Sequence, residues 1–185
     1  MTDTGSQVPS ASLLPLALQY LVAGRFLALQ LQIPVAGNLY HHAIEFFLKA
    51  ALSSSIPEKR LASREFGHNL ENLWHEFKDR YRNASAEFDG TVHLLNKFEK
   101  IRYPEAKFGA GPKLHLAIFR QADGKSMGAP GSYAFVLEDM DSLVRHIVKY
   151  ASLEFMLQND IGFLPDMSKR VLLEKNKHPL VAGPI

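Results

Sequence analysis

The stretch NLYHHAIEFFLKAAL, Asn38 to Leu52, decides the architecture. It reads as a helix with almost no face left for water. Leu39, Ala43, Phe46 and Ala50 form one apolar stripe at helical spacing, and Tyr40, Ile44, Phe47 and Ala51 form a second beside it. Only a narrow polar strip is left, carrying His41, His42, Glu45 and Lys49. A helix apolar nearly all round belongs in the middle of a bundle. Its polar groups need partners there, since an unpaired buried polar group costs ~1–3 kcal/mol. Phe46→Ala is therefore expected to cost ~3–5 kcal/mol, as a large-to-small change in the core.

Upstream, a first helix is expected from about Ser12 to Gln32, with Pro15 tolerated in its first turn. Leu13 to Leu31 is nearly long enough to span a bilayer, which takes ~20 apolar residues. Gln19, Arg25 and Gln30 interrupt it, and an arginine near a membrane centre costs ~2.5–3.5 kcal/mol. The reading is a buried helix of a soluble bundle, with no membrane partner. Downstream of a polar loop, a third helix starts near Asn69, a good N-cap residue. Leu70, Leu73, Trp74 and Phe77 give it one buried face. A fourth helix is expected over 84–103, with Val92, Leu95, Phe98 and Ile101 inward and Pro104 as its stop.

The pattern then changes to period two. Leu114, Leu116 and Ile118 alternate with other residues, and Tyr133, Phe135 and Leu137 do the same. Between them lies a run rich in Gly, Ala and Ser. This reads as a β-hairpin with a long tip. A last long helix is expected over 140–159, followed by a tail from Asp166 that can form one more short helix. The fold class is mainly α: an up-and-down bundle of four to five long helices with an inserted β-hairpin. The expected divisions are an unstructured N-terminus over 1–11, a helical domain over 12–165 with the hairpin at about 113–138, and a C-terminal tail over 166–185.

Length and composition narrow the classes. A chain of 185 residues suits a single domain with a proper core. Cysteine is absent, which excludes disulfide scaffolds, cysteine-based zinc sites and thiol nucleophiles. That absence fits a reducing cytoplasm, and the first residues lack the basic start of a signal peptide. The net charge is only +2, yet Lys97 to Lys125 holds seven cations against three anions, a local +4. Tyr103, Phe108 and Phe119 are interleaved with those cations. Basic residues beside accessible aromatics can hold phosphates and stack bases, although a solvated helix end and strand edge would look the same. No nucleophile elbow, phosphate loop or dinucleotide fingerprint is present, and no cofactor is nominated.

His41, His42 and Glu45 lie within one helical turn. Histidine and glutamate at that spacing can share a metal ion, but such a site needs a third protein ligand, which the sequence does not nominate. The simpler expectation is a Glu45–Lys49 pair at i, i+4 with histidines hydrogen-bonded inside the bundle. His68, just ahead of the third helix, is placed to bond Glu45.

Three of these pieces, taken in order, resemble the HEPN-domain family. HHAIEFFLKAAL is similar to the helix carrying an A-x-E-x-x-x-K pattern, here Ala43, Glu45 and Lys49. GHNLENLW resembles the family's H-D/N-L-x-x-L helix start, and IRYP its R-Y-P after the last core helix. The likeness covers about Asn38 to Pro104. It implies a four- or five-helix bundle, usually homodimeric and often prokaryotic, linked to RNA cleavage or to nucleotidyltransferase partners. Ribonuclease members use an R-x(4–6)-H motif. Here the permitted positions after Arg102 hold Lys107, Phe108 and Gly109, so the motif is missing. The expected function is a non-catalytic, homodimeric HEPN-like binding or regulatory module that engages nucleic acid or a nucleotidyltransferase-type protein partner. Its candidate binding residues are Arg102, Tyr103, Lys107, Lys113, Glu45, Lys49 and His68. The alternatives are a divergent metal-independent ribonuclease using Arg102, and a small-ligand binder with its pocket between hairpin and bundle.

Overall fold

The structure, a computed structural model, describes residues 12–81, 86–102, 114–117, 133–176 and 180. The fold is mainly helical. Helix α1 (Leu13–Leu29) and helix α2 (Ile33–Leu52) make the most extensive helix–helix contact. A three-residue turn joins them. Leu31 takes a left-handed conformation there, with φ of 59°. Its N–H reaches Ala28 O, and that of Gln32 reaches Leu27 O, which satisfies carbonyls the helix end would otherwise strand. No helix among the described residues is long and apolar enough to cross a membrane.

Helix α2 is the centre, but its two stripes are not equal. Tyr40, Ile44, Phe47 and Ala51 are all buried. Leu39 and Phe46 are only partly so, and the Phe46 ring stacks on Tyr20 with centroids 5.7 Å apart. The large core cost expected at Phe46 therefore moves to Phe47.

Around α2 pack α4 (Leu70–Arg80), α5 (Asp89–Asn96) and α6 (Leu137–Tyr150), with a short α3 (Glu58–Leu61) in the preceding loop. Asn69 caps α4 by accepting from the Asn72 N–H at 3.2 Å, as its position suggests. The long fourth helix is not continuous. A 3₁₀ turn (Ala86–Phe88) leads into α5, and the chain then tightens again into a 3₁₀ segment (Lys97–Arg102). Asn96, at the junction, turns its side-chain oxygen to the backbone N–H of Leu70, 3.1 Å away, and so serves a neighbouring helix.

The expected last helix is also two. Helix α6 ends where Ser152 adopts φ of 55°, and α7 (Glu154–Gly162) starts in a new direction. The Ser152 and Leu153 N–H groups return to Lys149 O and Val148 O, the same closing pattern as at Leu31. Neither site carries glycine, the usual sequence signal for such a stop. Helix α8 (Asp166–Leu173) forms the short helix expected in the tail and packs on α1.

The inserted hairpin is not what forms. Strands β1 (Leu114–Ala117) and β2 (Tyr133–Val136) pair in parallel, Leu114 opposite Tyr133 and Ala117 opposite Val136. A hairpin joins antiparallel strands. Parallel strands need a crossover of a dozen or more residues in place of a tight turn. Alternation of apolar residues marks strands but carries no direction. The N-terminal segment 1–11 lies outside the described residues.

Gly37 shows how tightly α2 is packed. A Cβ there would sit 2.1 Å from ring atoms of Phe98, which is itself fully buried. Gly37→Ala gains up to ~1 kcal/mol of helix propensity. It must also displace that ring, at ~1–3 kcal/mol. We expect a lower urea midpoint, and a raised one would show that the Phe98 ring yields freely.

Candidate functional site

The polar strip of α2 meets the loop before α4 at one carboxylate. Glu45 is buried, and its two oxygens have different partners. Lys49 Nζ donates to Oε1 at 2.6 Å and also to Gly67 O at 2.7 Å. His68 Nδ1 lies 3.0 Å from Oε2, and His42 Nδ1 lies 3.4 Å from it. The i, i+4 spacing puts Lys49 one turn along the same face, so this pair follows from helix geometry alone. Lys49 and His68 together tie α2 to the start of α4. Of the sequence-nominated residues, Glu45, Lys49 and His68 are thus brought together.

Burial alone would raise the Glu45 pKa. Hydrogen bonds from His42, Lys49 and His68 outweigh it and hold the carboxyl at about 2. Glu45 is therefore held as the carboxylate, with the Lys49 ammonium balancing its charge. His41 is fully buried one turn before Glu45. Burial lowers its pKa and favours the neutral ring, although Leu95 O, Glu99 and Glu45 pull the other way. Its Nδ1 lies 3.3 Å from Leu95 O, which can only accept, so Nδ1 carries the proton. The Nε2 lone pair then faces Glu99 Oε2 at 3.6 Å and Glu45 Oε2 at 3.9 Å, and finds no hydrogen-bond partner among the described residues.

A second polar centre lies deeper. Arg25 of α1 is fully buried. Its guanidinium pairs with Asp141 of α6 and donates to Val171 O at 2.9 Å and Glu174 O at 2.6 Å. One side chain so joins α1, α6 and the C-terminal end of α8, where a cation also suits exposed carbonyls. Tyr40 sits beside this pair. Burial, with Asp141 second, pushes its phenol pKa well up against the opposing Arg25, and it stays protonated. The sequence marked Arg25 only as an interruption. The periodicity of α1 could have placed it on the buried face, but nothing local names a partner so far along the chain.

The other nominated residues are not part of this centre. Arg102 ends the 3₁₀ segment, and its backbone alone is described; Tyr103, Lys107 and Lys113 lie outside the described residues. So does most of the basic stretch 97–125. The pocket expected between hairpin and bundle involves the same residues. Grooves lined by described residues lie elsewhere. One of about 270 Å³ runs beside Leu13, Phe46 and Leu61, and one of about 330 Å³ lies between α1 and the α7–α8 corner.

Comparison of the chain with protein-family models, curated proteins and solved structures finds no match.

Proposed function

We propose that this chain is a HEPN-like up-and-down helical module that works by binding, as a homodimer, and not as a metal-independent ribonuclease. The observation that carries the reading is the apolar face shared by α1 and the α7–α8 corner. Among the described residues its groove is lined by Val22, Ala23, Phe26, Leu164, Met167 and Val171, with Gln19 and Ser168 as the polar neighbours. Phe26 is 48 % exposed and Met167 67 %. Among the described residues no charged side chain lines the groove, so none of them offers phosphate or an acidic peptide a partner there. A second copy of the same face offers large apolar side chains to fill each groove, the self-complementary contact of a two-fold dimer. Burying such a patch also removes a surface that favours nonspecific association.

The polar strip supports the non-catalytic half of the reading. Lys49 and His68 are engaged in holding Glu45 and the loop before α4. Acid–base cleavage of RNA needs a group that gains and loses a proton near neutral pH, which histidine supplies. Arg102 cannot act as the base, because it stays protonated.

Light scattering at micromolar concentration is expected to give a dimer mass for the wild type and a monomer mass for Phe26→Glu combined with Met167→Glu. A monomeric wild type would overturn the dimer. In the same preparations RNA should survive without added metal. RNA cleavage that Arg102→Ala abolishes would overturn the binding reading in favour of a nuclease.

A further inference from the structure

We infer that His42, Glu45 and His68 form a binding site for one divalent transition-metal ion of the zinc class. The proposal is independent of the dimer and of the nuclease question. Sequence spacing put His41, His42 and Glu45 on one turn of α2 and nominated no ligand from elsewhere in the chain; of these His42 and Glu45 belong to the cluster. The fold supplies the third by laying the loop before α4 across α2. One donor atom from each of the three residues lies within 4.8 Å of the other two. Zinc holds nitrogen and oxygen ligands at about 2.0–2.2 Å, which sets ligands roughly 3.3 Å apart in a tetrahedron. The Nδ1 atoms of His68 and His42 stand 3.0 and 3.4 Å from Glu45 Oε2.

The environment fits a cation in three further ways. Lys49 holds Oε1 at 2.6 Å and fixes the carboxylate, so Oε2 is the oxygen presented to the histidines. That donated hydrogen bond orients the carboxylate, as hydrogen bonds to ligating carboxylates do at known metal sites. His41 Nε2 is buried, has no hydrogen-bond partner among the described residues and faces the same Oε2 at 3.9 Å. Two acceptors facing each other repel, and a cation bound at Oε2 draws off the charge that causes it. His68 is 55 % exposed, so the site opens to solvent on its side and ions can enter. Open coordination there leaves room for an exchangeable water.

The balance is simple. In the metal-free chain, imidazole N–H groups donate to Glu45. On binding, His42 and His68 each present a neutral Nδ1 lone pair, and any displaced proton goes to solvent. No redox step is involved.

The test uses untagged full-length chain stripped of metal by chelator, then titrated with Co²⁺ by visible absorption and with Zn²⁺ by calorimetry. One ion per chain is expected, with a cobalt d–d band that zinc abolishes. His68→Ala alters a half-exposed loop residue and is expected to weaken binding by at least about tenfold, with His42→Ala doing the same. His75→Ala, on an exposed histidine outside the cluster, should bind like the wild type. Absence of binding by the wild type would overturn the site. So would equal affinity in His68→Ala and His75→Ala, since binding would then be adventitious.

Discussion

Arg25→Ala is expected to lower stability by about 3–5 kcal/mol, the usual cost of removing one member of a buried ion pair. The size comes from what is left behind. Asp141 loses its guanidinium inside the protein, and the carbonyls of Val171 and Glu174 lose a donor at the end of α8. Urea denaturation monitored through Trp74 measures it. Arg25→Met with Asp141→Leu removes both charges together and should recover a large part of the loss, because desolvating two ions offsets much of their attraction. An unchanged midpoint in Arg25→Ala would mean that the guanidinium is not confined to this pocket.

The second large effect lies on α2. Phe47→Ala should cost about 3–5 kcal/mol, since a fully buried ring is replaced by a cavity among close-packed neighbours. Phe46→Ala should cost clearly less, because that ring is partly exposed and can be replaced by water on one side. Both variants belong in one denaturation series. If Phe46→Ala proved the more damaging, the face of α2 that points inward would be the other stripe.

These two sites show what the sequence could carry. The central position of α2 was legible because apolar residues surround it, whichever neighbours the helix meets. Which stripe lies deepest depends on where α1 and α6 sit, and no residue of α2 encodes that. The Glu45–Lys49 contact was readable from spacing, and His68 from its place before α4. Joining them with His42 required the loop's path. Two helix stops were missed for one reason. Leu31 and Ser152 occupy the left-handed conformation that glycine usually marks, so the split between α6 and α7 left no trace in residue type. Strand direction failed for a different reason: a period of two is the same read either way along the chain. Arg25 stood out by its charge, but its carboxylate partner is far away in sequence and could not be paired with it by pattern.

That distance has a consequence for how the protein is made. Arg25 is synthesised 116 residues before Asp141 and 146 before Val171. At ~5–20 residues per second, the ribosome delivers the carboxylate on the order of ten seconds after the guanidinium. Helices α1 and α2 can pair in that interval, but their shared core must hold a solvated arginine at its edge. Docking of the last helices is what allows the charge to be withdrawn from water. Completion of the core is thus timed by the arrival of α6 and α8, and a nascent protein halted before α6 would display an unfinished seam along α1.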